Sequence, residues 1–217
     1  MDIGIIGATG PAGSGLALRL ARAGHEVRVG SRDAARGAEL AETLGRELES
    51  GIGSIEGADN DRAAKASLVV VATVWSAAVS TVASLAPQLA GRIVISVANG
   101  IRRSEHGFVP VIPPEGSIAE ALQQAAPASA VVGAFHSIPA GMLQDLTAPL
   151  VGDVLVVGDM PEARQAVLRL IEGLPELRGF DAGPLANAVG LEALTAAILN
   201  INRTHGGEAH LRLAGVS

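Results

Sequence analysis

Apolar residues along this chain fall into short, nearly unbroken runs separated by amphipathic stretches. Residues 2–7 (DIGIIG), 68–73 (LVVVAT), 93–97, 130–135 and 153–158 (DVLVVG) read as strands buried on both faces, with further strands at 26–30, 54–56 and 176–181. Helical patterns lie between them, at 14–23, 34–48, 59–66, 77–89, 117–125, 161–173 and 185–202. Ala38, Leu40, Ala41 and Leu44 mark the apolar face of the second helix. Asp59 or Asn60 suits an N-cap, and Pro161 suits a first helical turn. Residues 99–114, ending in PVIPP, predict a loop. No internal repeat or low-complexity linker interrupts this order. Alternating strands and helices predict an α/β fold: a Rossmann-type, doubly wound, mostly parallel sheet with a small C-terminal helical extension.

Composition narrows the chemistry more than the fold. The 217 residues are 48% hydrophobic but only 2% aromatic, with one Trp, three Phe and no Tyr, so the core must be aliphatic. A net charge of −6 without a basic stripe predicts no nucleic-acid partner. With no Cys, disulfides, zinc–thiolate sites and cysteine nucleophiles are excluded. With no Tyr, the Tyr–Lys proton relay of short-chain dehydrogenases is excluded, and Lys65 is the single lysine. Residues 66–91 carry no charge and are long enough to span a bilayer. Their Ser, Thr, Pro and Gln content and their strand-then-helix pattern favour a buried segment instead. The first strand begins almost at Met1, and no basic segment precedes an apolar one, so a cytoplasmic protein is expected.

The most informative turn is Gly7-Ala8-Thr9-Gly10-Pro11-Ala12-Gly13, set between the first strand and first helix. This G-x-x-G-x-x-G spacing is a variant of the dinucleotide fingerprint. Glycine permits the tight turn, the approach of backbone to pyrophosphate and the packing of helix on strand. The helix N-terminus offers free N–H groups to the phosphates. The end of the second strand, Gly30-Ser31-Arg32, lacks the carboxylate that binds an NAD ribose. Arg32, with Arg36 four residues on, suits a 2′-phosphate, so NADP(H) is the expected cofactor. The same arginines would also suit a solvated helix start. Asp33 reads as the cap of the next helix.

The carboxyl ends of other strands supply the remaining candidates. Thr73, Val74 and Trp75 follow one strand, Ala98 and Asn99 another, and His136 a third. Trp75 suits either a core filler or the wall of a flat ring, and His136 either a structural hydrogen bond or an acceptor site. His25, His106, His205 and His210 have no helical metal-ligand spacing, so no metal is expected. A flat acceptor that delocalises incoming charge asks for stacking more than for acid–base groups, which suits this residue set.

Three segments together are more specific than the glycine loop: GIIGATGPAGSGLALRLARAGHEVRVGSRD, AFHSIPA and FDAGPLANAVGLEALTAAILNINR. In these the chain resembles the NADPH-dependent coenzyme F420 reductases, which exchange a hydride between NADP(H) and a deazaflavin, coenzyme F420. The resemblance implies that Thr9, Gly10, Ser31, Arg32 and Arg36 hold NADP(H). It also implies that His136, Ile138 and Pro139 lie beside the nicotinamide and deazaflavin, with Thr195 near the latter. Val189 and Ala193 stand where the family carries Arg and Ser, and Thr73-Val74-Trp75 where it carries Ile-Pro-Trp. Residues 1–150 are then an NADP-binding domain and residues 151–217 an extension closing the acceptor site. Two other readings fit the residues: a reductase of a flavin, quinone or ferric chelate, and a non-catalytic NADP-binding redox sensor. A homodimer is expected from the apolar helices near the C-terminus.

Overall fold

In the computed structural model, which describes residues 1–48 and 52–216, an eight-stranded sheet forms the middle layer. The first half alternates β1 (Asp2–Ile6), α1 (Pro11–Arg22), β2 (Glu26–Ser31), α2 (Ala34–Gly45), β3 (Ser54–Asp59), α3 (Asn60–Ala63), β4 (Leu68–Val71), α4 (Trp75–Leu89) and β5 (Ile93–Ser96). A two-stranded antiparallel hairpin follows, β6 (Ile101–Ser104) and β7 (Gly107–Pro110). Then come α5 (Ile118–Ala125), β8 (Ala130–Gly133), α6 (Ala140–Gln144), β9 (Gly152–Gly158), α7 (Pro161–Glu172), β10 (Leu177–Asp181) and the long α8 (Ala188–His205).

Strand order across the sheet is β10-β9-β8-β5-β4-β1-β2-β3. Pairing is parallel from β3 through β8, antiparallel between β8 and β9, and parallel again between β9 and β10. The mostly parallel, doubly wound sheet is therefore as expected. Its order reverses at β1 and β4, which is where such sheets bind ligands, outside the strands' carboxyl ends. Only Val132 and Gly133 of β8 pair with β9, so the first residues of β9 run on past the end of β8 beside the ligand edge.

Aliphatic residues fill both sides of the sheet. Ile3, Ile5, Leu16, Val29 and Ile95 belong to one cluster, and Ile6, Val69, Val71, Val82 and Leu122 to the other. The uncharged stretch at 66–91 divides into the wholly buried β4 and the amphipathic α4, as a core segment does. Residues 99–114 depart from expectation. Polar Arg102, Arg103 and Ser104 conceal the period-two alternation of a strand, yet the segment folds back as a hairpin tied at Val111 N to Gly100 O. The second helix ends at Gly45 rather than at Leu48. The third is a single turn, ending at Ala63 rather than at Ala66.

Candidate functional site

The turn after β1 shows why its glycines stand where they do. Gly7 has φ +82°, and a Cβ there would lie 2.6 Å from Thr73 N. At Gly13 a Cβ would lie 2.7 Å from Gly7 O. Both glycines are required by the protein itself. Gly10 is different: its φ is −82°, and the nearest atom to an added Cβ is 3.5 Å away. Nothing inside the fold excludes a side chain at Gly10. A bare position of this kind leaves the backbone open to close approach from outside. Pro11 takes the first position of α1, and Ala12 and Gly13 complete its opening turn, whose cap Gly10 has no side chain.

A cavity of about 400 Å³ opens over this turn. Among its walls are Thr9 and Gly10 after β1, Ser31, Arg32 and Arg36 after β2, and Thr73 and Val74 after β4. Asp33 caps α2, its Oδ1 accepting from Ala35 N at 2.9 Å, and is thereby accounted for as a helix cap. Arg32 and Arg36 are both exposed, with no ion-pair partner among the described residues. Two guanidinium groups stand on a rim otherwise free of basic side chains, a donor set with the chemistry to pair with an anion. The buried Oδ1 of Asn60 and Oγ1 of Thr73, which also wall this cavity, find no hydrogen-bond partner among the described residues. Asn60 was missed from the sequence as a site residue. It reads there only as a candidate cap, whereas Asp59 does the capping, by accepting from Arg62 N at 2.7 Å.

A second group gathers around residue 136. Phe135, two residues past the end of β8, which stops at Gly133 rather than at Phe135, takes φ +62°, a backbone region that bulky residues rarely adopt. This twist turns the next peptide toward two other elements. The carbonyl of His136 accepts from Asn99 Nδ2 at 3.0 Å, and Thr195 Oγ1 of α8 stands 3.1 Å from it. His136 is only 7% exposed, and its Nε2 has no partner among the described residues. Burial holds its pKa down to about 4, so the ring is neutral at physiological pH. It lines a small crevice with Val154 and Leu155 of β9 and Leu191 of α8. Ile138 packs in the aliphatic core with Phe135, Leu143 and Leu150, and Pro139 caps α6. Trp75 opens α4 half-buried, and its Nε1 donates to Ile101 O at 2.9 Å, tying the hairpin to this edge. Ala98 lies buried beneath Asn99.

The loop after β1 and the ends of β2 and β4 thus form one nucleotide-sized cavity. Asn99, His136 and Thr195 form a separate hydrogen-bonded cluster at the ends of β5, β8 and along α8. A larger cavity, about 570 Å³, lies among Arg19, Arg22, Leu146 and Leu174 and shares no lining residue with the cavity over the glycine turn. Among the described residues no group of three or more His, Asp and Glu could hold a metal ion.

Comparison with known proteins bears directly on this arrangement. Residues 2–100 match the family model described as NADP oxidoreductase, coenzyme F420-dependent. The F420-dependent NADP reductase of Methanocaldococcus jannaschii is 35% identical over 208 residues, covering 93% of this chain and 92% of that protein. A crystal structure from Arthrobacter sp. FB24, provisionally named as an F420-dependent NADP reductase, superposes with a TM-score of 0.82 at 28% identity, covering 99% of both chains. The rat metalloreductase STEAP3 is 33% identical over 204 residues, which are 91% of this chain but 37% of that protein. On the identity and span of these matches, this chain belongs to the family of F420-dependent NADP reductases.

Proposed function

We propose that this protein transfers a hydride between NADP(H) and coenzyme F420. The hydride passes between the nicotinamide and the deazaflavin ring, which takes up a proton when it is reduced and releases one when it is oxidised. The pyrophosphate rests on Thr9, Gly10 and the N-terminus of α1, over the turn held by Gly7, Pro11, Ala12 and Gly13. Ser31, Arg32 and Arg36 take the 2′-phosphate. Thr73, Val74, Trp75, Ala98 and Asn99 border the nicotinamide, and His136, Ile138, Pro139 and Thr195 the deazaflavin. Neutral His136 acts in this reading as a hydrogen-bonding and packing group, not as a charged acid. Residues 1–150 carry the nucleotide and residues 151–217 complete the acceptor side.

The observation that carries the reading is Gly10, left bare at a rim with two arginines unpaired among the described residues, although the fold itself would admit a side chain there. The test is to mix the purified protein with NADPH and oxidised deazaflavin and follow the deazaflavin's visible absorbance. Rapid bleaching is the expected result. Val189 and Ala193, half-buried on α8, support a second reading in which another flat ring is the acceptor. Turnover with FMN or a quinone, without bleaching of the deazaflavin, would establish that reading. NADPH binding without turnover on any acceptor would leave a sensor.

The same reading includes a cytoplasmic homodimer acting on small molecules, with no membrane or nucleic-acid partner. Leu194 and Ile201, 40% and 49% exposed, stand seven residues apart on one face of α8 and support a self-association surface. The segment Leu185–His205 is long and apolar enough to cross a membrane, but its other face is tied into the protein through Glu192, Thr195 and Asn200. Light scattering on the purified protein should give twice the mass of one chain. A monomer, or a protein extracted only with detergent, would overturn this part.

A further inference from the structure

The N-terminus of α5 poses an accounting problem. The first N–H groups of a helix have no intrahelical acceptor. Ser117, the N-cap, satisfies only one of them, its Oγ accepting from Glu120 N at 3.0 Å. Those of Ile118 and Ala119 lie buried and need an acceptor from outside the helix. It comes from α8, seventy-odd residues on: Glu192 Oε2 accepts from Ile118 N at 2.9 Å and Oε1 from Ala119 N at 3.0 Å. This carboxylate is 4% exposed, and no basic side chain pairs with it among the described residues.

Glu192 also stands three residues before Thr195, so the two side chains share one face of α8. That face continues to Asn200, whose side chain brackets Phe108 of the hairpin, accepting from its N–H at 2.9 Å and donating to its carbonyl at 2.7 Å. α8 is thus held by polar contacts at three heights: the start of α5, the His136 carbonyl and the hairpin. The lowest of the three uses a buried carboxylate where an apolar side chain would pack without desolvation cost. A group with that cost is retained where it fixes one arrangement against others.

We infer that Glu192 is the positioning residue of the acceptor site: by seating on the bare N-terminus of α5, it sets the height and rotation of α8 that bring Thr195 to the His136 carbonyl. The inference rests on the proposed reading that the acceptor binds beside His136 and Thr195. Burial and the nearby Glu120 carboxylate push the Glu192 carboxyl up to about 7, while the two N–H groups and the partial positive charge of the helix end favour its ionised form. Besides these N–H groups, the charge acting on it is Glu120 of α5, itself hydrogen-bonded by the Ser117 hydroxyl.

The test compares Glu192→Gln with Ser117→Ala, which removes the local cap of the same helix and leaves α8 untouched. Both should fold with lowered Tm. Glu192→Gln should raise KM for the deazaflavin about tenfold, equivalent to about 1.4 kcal/mol, while the NADPH Kd stays within about twofold, since distant sites behave independently. It should also shift the imidazole ¹⁵N resonance of His136, a readout that needs neither deazaflavin nor turnover. Ser117→Ala should move neither quantity. If Glu192→Gln leaves both unchanged, if NADPH Kd rises in parallel, or if Ser117→Ala reproduces the effect, Glu192 is an ordinary cap and the inference fails. If the wild type does not reduce the deazaflavin at all, the reading of the acceptor fails, and the His136 resonance alone decides the positioning role.

Discussion

At the scale of single residues, the nucleotide cavity makes opposite demands on neighbouring glycines. Gly10→Ala meets no protein atom closer than 3.5 Å, so Tm should be unchanged or slightly raised by the loss of backbone freedom in the unfolded chain. NADPH affinity should fall, because the added methyl would stand where the proposed site has the pyrophosphate approach. Gly7→Ala carries the reverse expectation, losing stability through both its φ of +82° and the close approach of Thr73 N. Calorimetric Tm and fluorescence titration of NADPH check both. A Gly10→Ala protein that binds NADPH normally would remove the support for a pyrophosphate there. Arg32→Ala, which breaks one charge-assisted contact, should weaken NADPH by about 1.5–3 kcal/mol while leaving NADH binding alone. Equal loss for both nucleotides would mean that Arg32 does not read the 2′-phosphate. The glycines and arginines were legible in the sequence because each meets a demand local to one turn. Glu192 was not, because it serves a helix seventy residues away. Its one trace is an acidic residue within the apolar run AVGLEALTAAIL.

At the scale of elements, local periodicity carried the sheet but not the pieces that close the site. The hairpin β6–β7 hides behind exposed Arg102 and Arg103, and α6 is too short to show a helical period. What holds α6 is equally non-local. From α1, Arg19 sends its guanidinium across to the carbonyls of Met142 at 2.8 Å, Leu143 at 3.1 Å, Ala148 at 3.2 Å, and also Asp145. Arg22 adds one to Leu146 at 2.8 Å. One planar fork thereby orders the turn that runs on from His136 and Pro139. Arg19→Met keeps much of the aliphatic stem but leaves those carbonyls unpaired. The loss should be about 2–4 kcal/mol, more than one hydrogen bond and less than the sum of four because water replaces the exposed ones. Urea unfolding would measure it. A change below about 0.5 kcal/mol, typical of ordinary surface substitutions, would show that the segment is held by Leu143 and its apolar neighbours instead.

At the scale of the whole molecule, two buried groups set opposing pH dependences of stability. His136 has a folded pKa of about 4 against an ordinary value of 6.5. As pH falls from 6.5 to 4, the unfolded chain takes up a proton that the folded chain refuses, so stability drops by up to roughly 3 kcal/mol. Glu192 has a folded pKa of about 7 against 4.5. As pH rises from 4.5 to 7, the unfolded chain releases a proton that the folded chain keeps, and stability drops by a similar order. The windows overlap almost completely, so in the intact protein the two contributions offset each other between them. Removing either group should expose the other. Measured as a difference from the wild type, Glu192→Gln should lose stability toward pH 4, because it lacks the contribution that protonated Glu192 makes there. His136→Asn should lose it toward pH 7, because it lacks the contribution that neutral His136 regains there. Chemical denaturation at a series of pH values gives both slopes. Two variants with slopes of the same sign, or with none, would mean that one of these side chains reaches solvent and that the junction of β8, α5 and α8 is looser than its hydrogen bonds imply. Opposite slopes would show that both groups are buried in the folded chain, at the end of β8 and on α8, as their burial there implies.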